Sequence, residues 1–514
     1  MHAKIFSATT IGINAHLVEV EVDVSFGLVN FYIVGLPDTA IKESSKRIQT
    51  ALKNCGIRLP TKKITVNLAP ADLKKEGTLF DLPIAIGILI ASEHLSLEQN
   101  FLKKTLFLGE LSLDGSIRRI KGALAIACDA LKLGIKRIVL PQANAHEASL
   151  IKDISIVGIN HLTELISFLR NEISIKETPC SFIQINATPI SSLNFSQVKG
   201  QLQAKRALQI AAAGHHNVLF MGPPGSGKTM LAKRLATIMP AMSFEEVIQT
   251  SKIYSICGKL NPQSLITERP MRTPHHSISQ AGLVGGGSCP QPGEISLAHN
   301  GILFLDELTE FKRESIEALR QPLESNHVCI SRVQQSVTFP ASFLLVAALN
   351  PCPCGYLGDK TRTCYCSKTQ ISRYLSKLSG PLLDRIDLQI PISAIPFEDI
   401  QVAQNDALNS ESLFKGVLNA QKIQKYRFKQ SGRYNNSLLP DEIDKLCPIT
   451  QNGQALLKKI FEKLRLSMRG YHKIIKVART IADLEDAEII DTKHIQEASF
   501  YRSLDQHIDQ QKNI

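Results

Sequence analysis

The chain has 514 residues, a net charge of +12 and eleven cysteines, and 44% of its residues are hydrophobic against 21% charged. These values are typical of a globular protein of about two to four domains, and an odd number of unevenly spaced cysteines argues against a disulfide framework. The excess of positive charge suggests a polyanionic partner, nucleic acid before a membrane surface, although it also fits a protein that is merely kept soluble.

The chain opens without the basic segment and unbroken apolar run of a signal peptide. Its most apolar stretch, residues 82–91, is too short to cross a bilayer and is typical of a buried helix. We therefore expect a cytoplasmic protein that makes no membrane contact and whose cysteines are mostly reduced.

Alternating side chains in residues 16–24 predict a half-buried strand, with valines on one face and acidic residues on the other. Residues 29–34 predict its partner strand, and Asp38 can cap a helix that ends at Gly56. Strands and helices then alternate, with strands at residues 64–68 and 138–140 and helices at residues 82–92 and 122–132. The pattern predicts a compact α/β domain over residues 1–170.

Periodicity weakens over residues 171–195, where prolines and paired serines predict a linker. Residues 196–396 form the predicted second domain, which opens with a helix at residues 201–213. Residues 397–514 have a helical pattern and many basic side chains, so we expect them to form a third part of the molecule.

A glycine-rich loop follows the apolar strand at residues 217–221 and precedes a helical run. It matches in full the strand–loop–helix pattern of a nucleoside triphosphate site, which a chance glycine-rich turn seldom does. Glycines let successive backbone N–H groups face the phosphates, while Lys228 reaches the β- and γ-phosphates and Thr229 ligates Mg²⁺. The residues predicted to bind ATP are Gly222, Pro223, Pro224, Gly225, Ser226, Gly227, Lys228 and Thr229.

Two further apolar strands end in polar side chains. The strand at residues 302–305 leads into Asp306 and Glu307, and buried strands of open α/β sheets deliver such groups to the ligand-binding edge. We expect Asp306 to hold Mg²⁺ through water and Glu307 to activate the attacking water. The strand at residues 343–349 leads into Asn350, which either orients that water or serves the turn that follows.

Five stretches of the chain carry a family resemblance, at residues 217–233, 292–308, 350–355, 379–387 and 469–483. With them the chain resembles the YifB/ComM family of magnesium-chelatase-like AAA+ ATPases over essentially its whole length. The resemblance implies an AAA+ P-loop core with a parallel sheet and a C-terminal helical lid over residues 397–514. It also implies homo-hexameric rings that depend on nucleotide, with ATP bound between subunits.

The resemblance assigns two arginines to ATP hydrolysis. Arg385 matches the finger that reaches a neighbouring subunit's γ-phosphate, where a planar guanidinium suits the charge of the transition state. Arg469 matches the second sensor arginine, which acts from the lid. The alternative for Arg385 is a salt bridge within the chain to Asp384 or Asp387.

Two Cys-x-Cys pairs separated by nine residues form the only cysteine cluster in the sequence, and its members are Cys352, Cys354, Cys364 and Cys366. Four thiolates can close a tetrahedral Zn²⁺ site, and Gly355 and Gly358 allow tight turns between them. Free thiols and an iron–sulfur cluster are the alternatives. The spacing favours structural zinc within a loop at residues 352–366.

The resemblance also implies insertions that project into the pore of the ring. One runs from Arg272 to His276 and on to the glycines at residues 285–287, and the other is a predicted hairpin at residues 328–338 with Arg332 near its tip. Basic groups and glycines there suit contact with phosphates, although either segment can equally be a solvated loop.

The C-terminal part sets a run of cations against only two nearby acids, Glu462 and Asp483. These cations are Lys458, Lys459, Lys463, Arg465, Arg469, Lys473, Lys476 and Arg479. The run marks either a solvated face or a general attraction to DNA, and a chain without tryptophan offers no base-stacking platform. The resemblance, with the net charge as weaker support, implies that the partner is single-stranded or branched DNA, bound without sequence preference.

Residues 1–170 resemble a Lon protease-type domain through the segments at residues 76–82 and 117–123. Lon proteases use a Ser–Lys dyad in these segments. This chain has no serine in the first segment and carries Ala123 about where the lysine falls. Because acylation needs both groups, we expect a proteolytically inactive module that serves assembly or guides DNA.

The resemblance favours an ATP-dependent helicase that promotes branch migration during homologous recombination in natural transformation. The motor subunit of a magnesium chelatase shares the core, but the fused N-terminal domain and the cysteine cluster favour the helicase. An ATP-dependent remodeller of a protein complex is the third candidate, because the same core can drive it.

Overall fold

The computed structural model describes residues 2–179, 193–261, 264–287, 289–332, 336–359, 362–393, 408–430, 432–464 and 466–502. Arg465, most of the predicted linker and residues 397–407 of the predicted lid lie outside these ranges. The chain forms two compact units. The first comprises Met1–Gln184, Phe244–Ile266 and Ser288–Gln291, and the second comprises Ile185–Ser243, Thr267–Gly287 and Pro292–Ile514.

A seven-stranded mixed sheet with the order β3-β4-β2-β1-β5-β8-β9 lies at the centre of the first unit. The strands of this part of the chain, including the small β6–β7 hairpin, are β1 (His2–Ile11), β2 (Asn14–Ser25), β3 (Phe31–Val34), β4 (Lys63–Ala69), β5 (Thr105–Phe107), β6 (Glu110–Leu111), β7 (Ile117–Arg118), β8 (Arg137–Pro141) and β9 (Ser155–Ile159). Its helices are α1 (Thr39–Asn54), α2 (Asp81–Ala91), α3 (Gln99–Lys103), α4 (Ala123–Ala130), α5 (Gln142–Ala148) and α6 (Leu162–Leu169).

The local patterns of the first unit predict its first helix correctly and one strand pairing wrongly. Asp38 caps α1, and its Oδ1 accepts the N–H of Ile41 at 2.8 Å. Strand β3 begins at Phe31 and pairs in parallel with β4 instead of pairing with β2. The reason is that β4 buries Ile64, Val66 and Leu68 and pairs with both strands, so it occupies the edge of β2.

A five-stranded parallel sheet with the order β11-β14-β17-β10-β18 lies at the centre of the second unit, which confirms the α/β class with a parallel sheet. The strands of this part of the chain are β10 (Val218–Met221), β11 (Met271–Arg272), β12 (Gly285–Gly286), β13 (Gln291–Pro292), β14 (Ile302–Leu305), β15 (His327–Ser331), β16 (Ser336–Pro340), β17 (Leu344–Leu349) and β18 (Leu388–Pro391). Its helices are α7 (Leu202–Gly214), α8 (Lys228–Leu235), α9 (Phe244–Ile256), α10 (Gln280–Val284), α11 (Glu294–Leu297), α12 (Arg313–Glu317), α13 (Arg320–Ser325), α14 (Lys368–Leu375) and α15 (Gly380–Leu383).

Helix α9 belongs to the first unit, although the division predicted from the sequence assigns it to the second domain. It packs against α4, where the N–H of Gly122 donates to the carbonyl of Ser255 at 3.0 Å. The ammonium of Lys252 lies 3.2 Å from Asp129 Oδ1, and both side chains are largely buried. A segment from the middle of the chain therefore completes the first unit.

The described residues after residue 407 are mainly helical and share one hydrophobic core with the parallel sheet. Their helices are α16 (Ser410–Phe428), α17 (Pro440–Leu446), α18 (Gln451–Leu464), α19 (Met468–Leu484) and α20 (Thr492–Phe500). Val417 of α16 and Ile481 of α19 are fully buried in the same core as Ala211 of α7 and Phe220 of β10. Among the described residues, no helix combines the length and the apolar character that a membrane span requires.

Candidate nucleotide site

Three parallel strands of the second unit end side by side, because β17 lies between β10 and β14. The segments that follow them begin with Gly222, Asp306 and Asn350. Carboxyl ends of adjacent parallel strands meet at one edge of a sheet, which is where ligands bind in open α/β folds. The topology thus brings the three predicted segments together. A Cβ at Gly222 would lie 2.1 Å from the carbonyl oxygen of Ile392, so only glycine fits there without a shift of backbone.

Lys228 points back into the glycine-rich loop that precedes it. Its Nζ donates to the carbonyl oxygens of Gly222 and Pro223 at 2.7 and 2.8 Å, and to Asn350 Oδ1 at 3.1 Å. Burial lowers the pKa of Lys228, and the nearby carboxylates oppose that shift. The ammonium therefore rests on neutral oxygens inside the loop, an arrangement suited to receiving an anion.

Thr229 and Asp306, both predicted to ligate Mg²⁺, are in direct contact. The Thr229 hydroxyl donates to Asp306 Oδ2 at 2.7 Å, and the N–H of Glu307 donates to Asp306 Oδ1 at 3.0 Å. Oxygen ligands of this kind are the ones Mg²⁺ prefers. Glu307 takes a φ of +52°, which is uncommon for a residue with a side chain, and this turn leaves its carboxylate about half exposed.

His276 lies beside Glu307, a position that the sequence reasoning missed. Its Nδ1 is 3.8 Å from Glu307 Oε2, and its ring meets Phe311 edge to face. The short strand β11 pairs in parallel with β14, so the segment after Arg272 leaves the sheet at the same edge. A strand of two residues gives no readable periodicity, and the sequence predicts His276 only within a DNA-contacting insertion.

The four clustered cysteines converge on a volume that fits a metal ion. The Sγ atoms all lie within 4.8 Å of one another, and three of their separations are between 3.3 and 3.6 Å. A tetrahedron of thiolates at the usual Zn–S distance of about 2.3 Å has edges of roughly 3.8 Å, so the donor set fits Zn²⁺. We call Cys352, Cys354, Cys364 and Cys366 the cysteine cluster.

The cysteine cluster is joined to the nucleotide site through its backbone. Cys352 follows Asn350 by two residues. A Cβ at Gly355 would lie 2.6 Å from Pro224 Cδ and 3.8 Å from Asn350 Cγ, and Gly355 has a φ of +86°. The loop that carries the cluster therefore packs against the glycine-rich loop, so its order affects residues on both sides of the site.

Both arginines that the resemblance assigns to ATP hydrolysis contact one carboxylate. Arg385 Nη2 lies 2.6 Å from Oε2 of Glu324, and Arg469 Nη2 lies 3.3 Å from Oε1. The salt bridge within the chain that the sequence offers as an alternative for Arg385 thus exists, but its predicted partners, Asp384 and Asp387, are wrong. Nothing in the sequence around Glu324 distinguishes it from an ordinary surface glutamate.

Asp387 follows Arg385 by two residues, is buried, and pairs with Lys473 of helix α19. Its Oδ1 lies 2.8 Å from Lys473 Nζ, while its Oδ2 accepts the N–H of Asn217 at 3.1 Å and lies 3.5 Å from His216 Nδ1. Burial by itself favours the protonated acid, but the charge of Lys473, together with the contact to His216, outweighs it and holds the pKa of Asp387 below its usual range. The side chain is therefore a carboxylate.

Three cations of the C-terminal run are partly or fully buried, which corrects the expectation of a solvated or DNA-facing run for these three, whereas Lys458, Lys459, Lys463 and Arg469 are exposed. Lys473 pairs with Asp387, and Arg479 pairs with Asp483 at 2.9 Å, where both side chains are almost fully buried. Lys476 donates to a backbone carbonyl at 2.9 Å. Counting only the acids near these cations in the sequence leaves Lys473 without a partner. Asp387 is distant from Lys473 in sequence but adjacent to it in the fold.

Replacing Asp387 with alanine should lower the midpoint of thermal unfolding by about 5 °C or more, because Lys473 then loses its partner in the interior. Breaking a buried ion pair from one side costs about 3–5 kcal/mol. Circular dichroism during heating measures the shift. Glu411→Ala is the matched control, since it removes an exposed pair with Lys415 and should change the midpoint by about 1 °C or less. Equal midpoints for the two variants would contradict the prediction.

The two predicted DNA-contacting insertions lie next to each other. The second is a hairpin of β15 and β16, as predicted, and residues 333–335 at its tip are outside the described residues. Arg332 is exposed, and its Nη2 lies 3.4 Å from where a Cβ on Gly286 would be. Arg272, in contrast, donates two hydrogen bonds to the carboxylate of Glu294, at 2.6 and 2.9 Å. Of the two arginines, Arg332 is exposed and Arg272 is held by a carboxylate.

Three family models match successive parts of the chain. The model described as magnesium chelatase, subunit ChlI, matches residues 194–400. A model described as subunit ChlI of Mg-chelatase matches residues 20–144, and the C-terminal model of the same subunit matches residues 407–502. The first of these ranges contains the glycine-rich loop, Asp306, Asn350 and the cysteine cluster.

The chain is also similar to curated proteins over nearly its full length. It is 44% identical to the competence protein ComM of Haemophilus influenzae, over 98% of this chain and 97% of that protein. It is 42% identical to the uncharacterized protein YifB of Escherichia coli, over the same shares of the two chains. The magnesium-chelatase 38 kDa subunit of Cereibacter sphaeroides is 24% identical over 30% of this chain and 52% of its own length.

Proposed function

We propose, since the chain belongs to the YifB/ComM family of magnesium-chelatase-like ATPases, that it is an ATP-dependent DNA helicase that works as a homo-hexameric ring. It drives branch migration during homologous recombination in natural transformation, in the cytoplasm. The contact between Thr229 and Asp306, beside the loop that encloses Lys228, carries the ATPase part of the proposal. The net charge of +12 and the 44% sequence identity to a protein named for competence support DNA as the polymer on which the helicase acts.

In the proposed ATP site each side chain has a task that suits its position. Loop N–H groups and the first turn of α8 hold the phosphates, and Lys228 binds the β- and γ-phosphates. Thr229 and Asp306 hold Mg²⁺, which when bound neutralises charge on the phosphate oxygens. Glu307 accepts a proton from the attacking water, and Asn350 orients that water. Because the Thr229 hydroxyl already lies 2.7 Å from Asp306 Oδ2, the two side chains need little rearrangement to hold the ion.

The proposed ring supplies the rest of the site. Arg385 reaches the γ-phosphate bound to a neighbouring subunit, and Arg469 acts as the second sensor arginine. A guanidinium stabilises the charge that develops on the transferred phosphoryl group. ATP hydrolysis should therefore depend on assembly as well as on the glycine-rich loop.

We propose structural zinc at the cysteine cluster. The purified protein should contain about one zinc per chain by elemental analysis, and Cys352→Ser should contain almost none. Because Gly355 packs against Pro224, Cys352→Ser should also bind ATP more weakly than the wild type. Cys329→Ser, which changes a partly exposed cysteine outside the cluster, should retain its zinc. Wild-type protein without zinc would contradict the proposal. Absorbance of visible light together with bound iron would indicate that the four cysteines hold an iron–sulfur cluster instead.

The first unit is, in this proposal, a Lon-like module without protease activity. Ala123 opens α4 and supplies no amine, and the hydroxyl of Thr78 is already hydrogen-bonded to the carboxylate of Glu110. Neither group is arranged as a nucleophile with its activating base. ATP-dependent cleavage of casein by the purified protein would overturn this part.

Unwinding of branched DNA tests the proposed function. The wild type with ATP should separate forked and Holliday-type substrates, and DNA should accelerate ATP hydrolysis. Arg332→Ala should weaken DNA binding and reduce this stimulation while basal hydrolysis persists, because Arg332 is exposed on the hairpin. Lys132→Ala, which removes an exposed cation of the first unit, is the control for loss of charge alone. A wild type that neither binds DNA nor shows DNA-stimulated hydrolysis would end the helicase proposal.

The motor subunit of a magnesium chelatase is the alternative that the family models favour. The models that match this chain are described by the name of a chelatase subunit, and a chelatase subunit is similar over 30% of this chain. The likeness to ComM extends over 98% of the chain and is closer in identity. ATP-dependent insertion of Mg²⁺ into a porphyrin, without any effect of DNA, would favour the chelatase. Hydrolysis that responds to neither DNA nor porphyrin would leave a remodeller of protein complexes.

A further inference from the structure

We propose that Glu324 is a positioning residue that holds Arg385 and Arg469 together, so that both face one triphosphate bound to a neighbouring copy of the chain. This inference rests on the proposed function, because it needs an ATPase whose arginines act on another subunit. Through Glu324 the two arginines act as a single unit.

The contacts bring together three distant parts of the chain. Glu324 is the penultimate residue of α13, and Arg385 and Arg469 are 61 and 145 residues away from it in sequence. Each oxygen of the carboxylate takes one guanidinium, at 2.6 Å from Arg385 and 3.3 Å from Arg469. A carboxylate near the C-terminal end of a helix is unfavourable by itself, and the two cations offset that cost.

The charges at this site are unbalanced in favour of an anion. One carboxylate faces two guanidinium groups, so one positive charge remains. Hydrogen bonding from Arg385 lowers the pKa of Glu324, which keeps it ionised. Arg385 Nε is buried and has no hydrogen-bond partner among the described residues, while Arg469 is 62% exposed. Arg469 therefore presents exposed donors, while Arg385, whose side chain is 13% exposed, contributes mainly its charge for a phosphate, which planar guanidinium groups bind well.

The ion pair between Asp387 and Lys473 joins the two segments that carry Arg385 and Arg469, so Glu324 is not needed to hold these segments together. Asp387 lies two residues after Arg385, and Lys473 lies four residues after Arg469 on α19. Their buried ion pair of 2.8 Å joins the two segments. Glu324 is 56% exposed and Arg469 is 62% exposed, and an exposed ion pair of this kind contributes about 1 kcal/mol or less to stability. Arg385, which is 13% exposed, keeps the carbonyl of Pro381 as a partner when Glu324 is replaced. Its role is therefore to direct the side chains of the arginines.

Glu324→Ala and Glu324→Gln should both assemble and unfold like the wild type. Their kcat for ATP hydrolysis should fall by about 10- to 100-fold, as expected for a misdirected guanidinium, with KM for ATP changed by about threefold or less. In a background that carries both Arg385→Ala and Arg469→Ala, Glu324→Ala should lower kcat by no more than about twofold, because its effect passes through those two arginines. Glu411→Gln, which removes an exposed carboxylate paired with Lys415, should leave kcat unchanged.

ATP hydrolysis by rings assembled from two different variants distinguishes a positioning role of Glu324 from a merely structural one. Glu324→Ala subunits mixed with Glu307→Gln subunits should regain activity, because each supplies the half of the site that the other lacks. Glu324→Ala mixed with Arg385→Ala should not regain it, because both are defective in the same half. Wild-type kcat in both Glu324 variants, or a full further loss in the background that lacks both arginines, would overturn the inference alone. Full activity of Arg385→Ala, or a wild type that does not hydrolyse ATP, would overturn the proposed function and this inference with it.

Discussion

Replacing Glu307 with glutamine should lower the rate of ATP hydrolysis by about 100- to 1,000-fold while ATP still binds. Glutamine has the same size and keeps hydrogen-bonding atoms, but it cannot accept a proton from the attacking water. The position of Glu307 supports this role, because it follows Asp306 at the end of β14 and its carboxylate is about half exposed. Phosphate release at saturating ATP measures the rate, and a fluorescent ATP analogue measures binding.

Glu310→Gln is the matched control for this experiment. Glu310 lies three residues further on, at the end of the short 3-10 helix that Glu307 precedes, and it is also exposed. Glu310→Gln removes one negative charge from the same turn. If loss of charge alone does not cause the defect of Glu307→Gln, the Glu310→Gln variant should retain more than half of the wild-type rate of ATP hydrolysis. Hydrolysis by Glu307→Gln at the wild-type rate would show that another group activates the water.

Replacing Arg385 with alanine should lower kcat by about 1,000-fold, the lower end of what an arginine finger contributes. The residue lies in the short segment between α15 and β18, and its guanidinium is held by Glu324 and by the carbonyl of Pro381 at 2.6 Å. Binding of ATP to the glycine-rich loop should persist, because that loop is complete within one chain. Steady-state hydrolysis over a range of protein concentrations measures both the loss and its dependence on assembly.

The Arg385→Ala variant also tests whether the arginine acts on another subunit. Mixed with Glu307→Gln, it should recover part of the wild-type rate, since some sites then combine an intact Glu307 with an intact Arg385. Arg373→Ala, which changes an exposed arginine of α14, should hydrolyse ATP normally. No recovery in rings shown to contain both variants would place Arg385 in its own subunit's site.

Much of the candidate site could be predicted because its parts are local in sequence. The glycine-rich loop needs a strand before it and a helix after it, and β10 and α8 lie at those positions. Asp306 and Asn350 each follow a continuous apolar run, and both runs are strands of the same sheet. Periodicity and short motifs report such features because they depend on neighbouring residues.

The wrong pairing of β3 and the missed position of His276 have a common cause. Both depend on which strands lie next to each other, and strand order is decided by packing between distant segments. The β11 strand that directs His276 towards Glu307 has only two residues. No local pattern in the sequence indicates such a strand, although its effect on the site is large.

The sequence by itself determined that this chain has a nucleotide-binding pattern, a four-cysteine cluster and the motifs of its family, because each is a run of neighbouring residues. Only the tertiary structure decided which charges meet. It placed Glu324 between Arg385 and Arg469, and it buried Lys473 against Asp387. The physical reason is that an ion pair acts over a few ångströms of space, and the fold brings together residues that are far apart along the chain.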